Sequence, residues 1–599
     1  MDYAFNAAVA QAKELLVSAI KSAGLSASAD EVKVEPSKTP DADLSCTIAF
    51  ALARKAGKAP KEIAEVVANG IATELSAANA ANPKKAAYDY AAKVTAANGY
   101  VNFILSEKFF ADAVAQASAS PAAKYGSFSE FAGKTAIVEY SSPNVGKPMH
   151  IGHIRSTILG DSVANLFDAA GYKTLRMNYL CEAGAQVAGI LLAVDTFGAE
   201  SLGNEKDVLK YYVEITKKIE ADPALKANEQ QYIMFMENGE PAIRKNLQLV
   251  RKLSVVPFDV NYGRLGINFD ESVFDSDYVP LAKELVAEAQ SKGLAKKDEK
   301  GETVGLLEGK SALPNLIILR SNGTTLYSTR DMAFAQWRWD KYHFDKSVIV
   351  TASEQNTHFR QVFKMLELMG REYTNRLSHI GFGLVFLEGG VKLSSRKGNV
   401  LLLEDVLDDA QAIALEQIKG REYSQEDAGK ISFAVGVGAI KFGILRVSSE
   451  KNINFSMQKA VSFEGDTGAY LQYTVVRAKN ILKKAGYVAS ASNAAAKEGA
   501  NAPIASFATA LSKDERELAK FIAQYPAAVR SAAISMAPHQ ICDYALKVAA
   551  AFSTFYSSSP VLEAESEEKK QLRLALVAAT ISTLESSLAL LGINVPEKM

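Results

Sequence analysis

Apolar and β-branched residues crowd into Thr135-Ala136-Ile137-Val138-Glu139-Tyr140, with no helical period. Such a run predicts a short buried strand. From Ile154 the pattern changes: Ile154, Ile158, Leu159, Val163, Leu166 and Phe167 recur at helical spacing, and Gly171 supplies a C-terminal stop. Residues 173–179 read as the next strand. Strand, turn, helix and strand make the first half of a nucleotide-binding α/β unit, whose ligands lie beyond the carboxyl ends of the strands. Further strands of this sheet are expected at 316–320 and 347–351. An apolar, glycine-punctuated stretch follows at 381–386.

The remaining pattern divides the chain. Residues 1–115 are Ala-rich with helical periodicity and a strand from Gly99 to Ile104, an N-terminal α/β module. The Ala/Ser/Pro stretch 117–127 reads as a linker. A Rossmann-type parallel-sheet domain is expected at 130–410, with a charged helical insertion near 200–260. A connecting element spans 411–460, and an all-α bundle fills 461–599, broken by a low-complexity tract at 489–505. A chain of 599 residues exceeds one hydrophobic core, in keeping with three or four domains.

Chemistry concentrates at the first turn of the sheet. Pro148-Met149-His150-Ile151-Gly152-His153 joins strand to helix, in a chain with only six histidines. Two core histidines at helical spacing would look the same. A helix N-terminus, however, offers free N–H groups and partial positive charge to a phosphate. His150 and His153 add directional donors, Gly152 leaves room for a nucleotide, and Lys147 adds a point charge. The set suits a phosphorus centre that gains negative charge during in-line attack. A second cluster, Val391-Lys392-Leu393-Ser394-Ser395-Arg396-Lys397-Gly398-Asn399, carries three cations behind an apolar strand. Alone it would read as a solvated basic loop. The segment Gly305-Leu306-Leu307-Glu308-Gly309-Lys310-Ser311 is one residue short of a Walker A loop and reads as a turn.

The first motif resembles the HIGH signature of class I aminoacyl-tRNA synthetases, and the second resembles their KMSKS loop. The wider match is to the arginyl-tRNA synthetase family and runs over nearly the whole chain. Its carriers are Ser141-Ser142-Pro143-Asn144 before Lys147-Pro148, Tyr327-Ser328-Thr329-Arg330-Asp331, Glu354-Gln355 with His358-Phe359, and Tyr470-Leu471-Gln472-Tyr473 followed by Arg477. The resemblance implies ligation of L-arginine to tRNA, with ATP and its Mg2+ but no protein metal site. In that reading His150, His153, Lys147, Lys392 and Ser394 are catalytic, and Gly152, Arg396 and Lys397 join the histidines and Lys392 around ATP. Arginine falls to Glu139, Ser142, Asn144, Tyr327, Asp331 and Gln355. Asp331 is the planar acceptor that a guanidinium fork needs. Tyr470, Tyr473, Arg477 and Met599 face tRNA, and the N-terminal module touches the outer corner of the tRNA. A small-molecule nucleotidylyltransferase uses a similar His-x-Gly-His turn, and a class I synthetase of another specificity is a second alternative.

The chain departs from the family pattern at several points. Ser395 stands where the loop's second lysine is usual, and Lys147 fits as its substitute. Cys181 and Glu182 replace a common Gly or Asn followed by Asp. Asp275 stands for Glu, and Thr47 for Asn. The extra methylene of Glu182 is expected to shift a contact near the substrate.

Composition adds limits. A formal net charge of −1 does not announce an RNA partner, so basic surface must be local, as at Arg477, Lys479, Lys483 and Lys484. Cys46, Cys181 and Cys542 are too few and too scattered for a disulfide framework or a zinc site, which points to a reducing, cytoplasmic compartment. No apolar run is expected to span a membrane, and the N-terminus shows no targeting peptide. The residues leave the oligomeric state open; the resemblance favours a monomer.

Overall fold

The computed structural model describes residues 3–37, 39, 41–81, 88–121, 123–387, 402–487 and 509–599. Its central sheet has five parallel strands: β1 (Thr135–Glu139), β2 (Lys173–Leu180), β3 (Glu271–Phe274), β4 (Lys346–Ala352) and β5 (Leu377–Phe382). Their spatial order is β5-β4-β1-β2-β3. Ala136, Ile137 and Val138 on β1 and Val348 and Val350 on β4 are fully buried, as the continuous apolar runs of a parallel sheet require. The strand order reverses between β1 and β4. In open α/β sheets that reversal is where ligands bind.

The helix after β1, α1 (Ile151–Ala169), is buried on nearly every side. Gly160 lets it lie against the sheet: a Cβ there would come 2.2 Å from the Cβ of Tyr140. Two helices that matter for the site follow β2, α2 (Glu205–Ala221) and α3 (Pro241–Leu265). Then come α4 (Tyr327–Tyr342) and α5 (Asn356–Leu368). Past β5 the chain runs through β6 (Val385–Leu387), α6 (Leu403–Gln417), α7 (Gln425–Leu445) and β7 (Ile453–Phe455), with β6 parallel to β7. The C-terminal part is helical, opening with α8 (Gly468–Ala485) and closing with α9 (Glu567–Leu590). Ahead of the central sheet, four short strands form an antiparallel sheet that carries the helices of the N-terminal region.

Two expectations need correction. The strand at Leu316–Leu319 does not join the parallel sheet; it pairs antiparallel with Thr303–Gly305 in a separate three-stranded sheet. The short connection from Gly305 to Leu316 permits a hairpin, whereas a parallel pair needs a longer crossover. The stretch 117–127 is not a bare tether. Helix Glu107–Ala119 runs into it, Tyr125 is buried, and the Tyr125 hydroxyl donates to the Ile522 carbonyl at 2.9 Å. Burial of one aromatic ring outweighs the loop-like composition around it. Helices α7 and α9 pass a membrane-span test by length and composition alone. Both are largely buried within the fold, and α9 is buried on nearly every side from Leu572 to Leu590.

Candidate active site

Pro148 and Met149 bring the chain off β1, and His150 caps α1 in an extended conformation. Its Nδ1 accepts the Gly152 N–H at 3.0 Å, while the His150 N–H donates to Nδ1 of His153 at 3.2 Å. The two rings lie 4.1 Å apart. Burial, with Lys147 nearby, pulls the His150 pKa down to about 4. Burial, His150 and Lys147 hold His153 well below the usual histidine range. Both rings are therefore neutral near pH 7. With each Nδ1 accepting from the backbone, the single ring proton sits on Nε2. The pair is built as two Nε2–H donors rather than two cations. Gly152 is exposed, and a Cβ there would lie 2.7 Å from the His150 ring, so glycine also protects the ring's position.

Lys147 rests its ammonium 4.6 Å above the ring of Tyr212 on α2, a partner the sequence did not disclose. Lys392, Ser394, Arg396 and Lys397 lie outside the described residues. The chain re-emerges from them at the histidine turn: Leu402 bridges to His150, and the Leu403 N–H donates to the Met149 carbonyl at 2.9 Å.

Beyond the carboxyl ends of β1, β2 and β4 lies a cavity of about 350 Å³. Glu139, Ser142, Asn144, Tyr327, Asp331 and Gln355, scattered over some two hundred residues of sequence, all line it. Tyr327 and Asp331 sit one turn apart at the start of α4. Asp331 Oδ2 is 2.6 Å from Nε2 of His358, whose ring lies 4.8 Å from that of Tyr327. Glu139 is buried and accepts from Arg338 Nη1 at 2.6 Å. Burial raises its pKa to about 7, against the pull of Arg338 and with a further push from Asp331. A cavity that crowds Glu139 and Asp331 together favours a cationic ligand. Ser141 and Ser142 both adopt left-handed backbone, with φ of 71° and 48°. Such strain persists where surroundings over-determine it. Here Ser141 is held by Tyr262, Thr157 and Ser156, and the Ser142 N–H donates to Asn178. The hydroxyls of Ser142 and Tyr179 are buried in the cavity wall with no partner among the described residues, an arrangement that calls for a polar ligand.

Two of the unusual residues, Glu182 and Asp275, are absorbed by the cavity wall. The Glu182 carboxylate accepts from Arg251 Nε at 2.7 Å and from Ser276. Asp275 accepts the N–H groups of Glu182 and Ala183 at 2.8 and 2.9 Å, and Arg330 Nε at 3.0 Å. The extra methylene of Glu182 thus reaches a fixed arginine, Arg251. His358, Arg338, Tyr179 and Arg330 belong to the site without having been assigned a role from sequence. His358 and Arg330 carried a signal there, each standing in a quoted motif beside a residue that was assigned a role.

A second cavity, of about 510 Å³, lies between α8 and the end of the chain. Tyr473, Arg477 and Met599 line it together with Tyr556, and the Arg477 guanidinium stands 4.3 Å over the Tyr556 ring. Tyr470 does not line it; its ring packs against the hydrophobic core from the first turn of α8.

Residues 120–457 match the family model for the catalytic domain of class I tRNA synthetases (R), that is, for arginine. Residues 471–599 match the DALR anticodon binding domain, and residues 10–105 the arginyl-tRNA synthetase N-terminal domain. The chain is 35% identical over 510 residues to the arginine–tRNA ligase of Clostridioides difficile, covering 85% of this chain and 87% of the relative. The chain belongs to the arginyl-tRNA synthetases. An arginine–tRNA ligase of Oenococcus oeni is 34% identical, with 92% of each chain covered. The structure of Thermus thermophilus arginyl-tRNA synthetase superposes with a TM-score of 0.77 at 26% identity, covering 99% of this chain and 100% of that one. An arginyl-tRNA synthetase accounts for both flanking parts of the chain, which a small-molecule nucleotidylyltransferase would leave without a task.

Proposed function

We propose that the chain joins L-arginine to its tRNA in two steps, and that the 350 Å³ cavity receives the amino acid. The arginine carboxylate attacks the α-phosphorus of ATP, forming arginyl-adenylate and releasing pyrophosphate. The 2′-hydroxyl of the terminal tRNA ribose then attacks the arginyl carbonyl, and AMP leaves. Positioning and charge stabilisation supply the rate; no covalent enzyme intermediate is needed.

In this reading the guanidinium forks onto Asp331, which His358 orients, beside the Tyr327 hydroxyl. Glu139, Ser142, Asn144 and Gln355 hold the α-amino and carboxylate groups. The Nε2–H groups of His150 and His153 donate to phosphate oxygens, and as neutral donors they follow charge as it develops. Lys147 leaves the Tyr212 ring to meet the departing pyrophosphate, joined by Lys392 and Ser394, with Arg396 and Lys397 alongside. Mg2+ arrives with ATP. Among the described residues no group of three or more His, Cys, Asp or Glu side chains is arranged to hold a metal. The 510 Å³ cavity takes an anticodon base, stacked by Tyr473 or Tyr556 and approached by Arg477 and Met599. The N-terminal module, residues 1–115, meets the outer corner of the tRNA, and the reaction takes place in the cytoplasm.

One observation carries this reading: six residues distant in sequence close around one cavity at the strand-order reversal where the histidine turn also lies. Charging of total tRNA with each of the twenty amino acids in turn tests it. Arginine alone should be esterified; preferred charging by another amino acid would overturn the specificity.

A further inference from the structure

Arg338 lies on α4, about two turns past Asp331, and is only 1% exposed. It stands behind the wall of the 350 Å³ cavity rather than in it. Among the described residues its one ion pair is with Glu139, where Nη1 donates to Oε2 at 2.6 Å. The guanidinium otherwise rests 4.4 Å over the Phe334 ring, and its Nε has no hydrogen-bond partner among the described residues. A buried ion pair with so few supporting bonds is costly, and well-packed apolar side chains of similar volume are often no worse for stability. Filling the core therefore does not explain an arginine and a glutamate here.

The cavity does. Glu139 is the last residue of β1, and its backbone is paired on both sides, to Ile349 of β4 and Met177 of β2. Its side chain lines the cavity. Arg338 occupies Oε2, while Oε1 takes no hydrogen bond among the described residues. The strand fixes one end of this side chain and the guanidinium the other, which leaves one oxygen for a ligand. Charge is the difficulty at this place. Burial raises the Glu139 pKa to about 7, Arg338 pulls it down, and Asp331 pushes it up. Arg338 and Asp331 act on it from α4, Tyr179 and Cys181 stand in the same wall at the end of β2, and His358 on α5 backs Asp331. Arg338 supplies the opposing positive charge. Without it the carboxyl would keep its proton at neutral pH and offer an ammonium group no ion pair.

We propose that Arg338 is a positioning residue for amino-acid binding: from behind the cavity wall it fixes Glu139 as an anion with Oε1 turned to the α-ammonium of arginine. This rests on the reading that Glu139 contacts the bound amino acid.

The test follows aminoacylation by the full chain from about pH 6 to about pH 8.5, around the Glu139 pKa, and reads the KM values for arginine and ATP together with thermal melting. The variants are Arg338→Gln, which keeps a donor and loses the charge, Arg338→Lys and Glu139→Gln. In the wild type the KM for arginine should rise as pH falls below about 7, where Glu139 takes up its proton. Loss of the Arg338 charge should move that midpoint up by about one pH unit or more. Arg338→Gln should then raise the KM for arginine about fivefold or more at pH 7, and the excess should shrink to within about twofold by pH 8.5. Arg338→Lys keeps a charge without the planar guanidinium and should fall between Arg338→Gln and the wild type. The KM for ATP should hold within twofold throughout. A KM for arginine within twofold of wild type at pH 7 in Arg338→Gln overturns the proposal. So does a rise by the same factor at every pH, which is the mark of a general packing defect, or an equal rise in the KM for ATP. If Arg338→Gln does not fold, Arg338→Lys decides: an excess that shrinks as pH rises supports the proposal, and no excess or a pH-independent one overturns it. Glu139→Gln should raise the KM for arginine and remove its pH dependence near 7. An unchanged KM for arginine in Glu139→Gln would defeat the cavity reading of Glu139 and this inference with it. Loss in Glu139→Gln with wild-type behaviour in Arg338→Gln would defeat only this inference.

Discussion

His150 and His153 are held neutral by burial and by the backbone N–H groups that occupy their Nδ1 atoms, and this has consequences at the scale of single residues. Removing one preorganised donor of this kind costs roughly 3 kcal/mol of transition-state stabilisation. His150→Ala should therefore slow single-turnover adenylate formation on the order of a hundredfold while tRNA binding stays near wild type. Unchanged turnover would take the turn out of the chemistry. The same neutrality shapes stability. The His150 pKa drops from 6.5 to about 4 on folding, so between those values the unfolded chain binds more protons than the folded one. Stability then rises with pH across that window and is lost as pH falls through it. Urea midpoints of His150→Asn should depend less on pH there than those of the wild type; parallel curves would contradict the assigned protonation. In the amino-acid cavity, Asp331→Asn keeps shape and loses charge. A charge-assisted hydrogen bond is worth about 1.5–3 kcal/mol, so the KM for arginine should rise on the order of ten- to a hundredfold. The KM for ATP should hold within twofold; equal effects on both would refute the role.

At the scale of elements, the unit β1–turn–α1–β2 was readable because its signals are local: a β-branched run, a change of period, a glycine stop. Tyr327 and Asp331 were readable together because four residues make one helical turn. What the sequence hid depends on long-range pairing. The four-residue strand at Leu316–Leu319 carries nothing that names its sheet, and only the short connection before it selects a hairpin. Arg338 reaches Glu139 and Arg155 reaches Gly383 across about two hundred residues, so no spacing rule could join them. Lys147 meets Tyr212 because helix α2 folds back over the turn. The contact of α1 with β1 is the element-level feature most open to test. Gly160→Ala would place a methyl 2.2 Å from Tyr140 Cβ, and overpacking of this kind costs about 1–3 kcal/mol. Chemical denaturation should show that loss together with slower adenylate formation. A variant with wild-type stability would mean that the helix is not seated on the sheet in this way.

On the scale of the whole molecule, the C-terminal tail ties the parts together. Ser162 on α1 donates to the Leu590 carbonyl at 2.8 Å, Lys441 on α7 to Gly592 at 2.6 Å, and Gln472 on α8 to Asn594 at 2.6 Å. The same tail ends with Met599 in the wall of the 510 Å³ cavity. The helix that carries the histidines is thus bonded to the chain segment that ends where an anticodon base is proposed to dock. Arg477→Ala should raise the KM for tRNA several-fold, since a stacked guanidinium contributes about 0.5–2 kcal/mol. The KM values for arginine and ATP should not move, and a rise in either would place Arg477 in the fold rather than at the RNA. The central claim, that the cavity and the histidine turn hold the two reacting partners side by side, is tested most directly by a crystal structure with arginine and a non-hydrolysable ATP analogue. The account predicts the guanidinium forked on Asp331 and phosphate oxygens on Nε2 of both His150 and His153. Phosphates bound away from both rings, or an arginine whose guanidinium avoids Asp331, would contradict it.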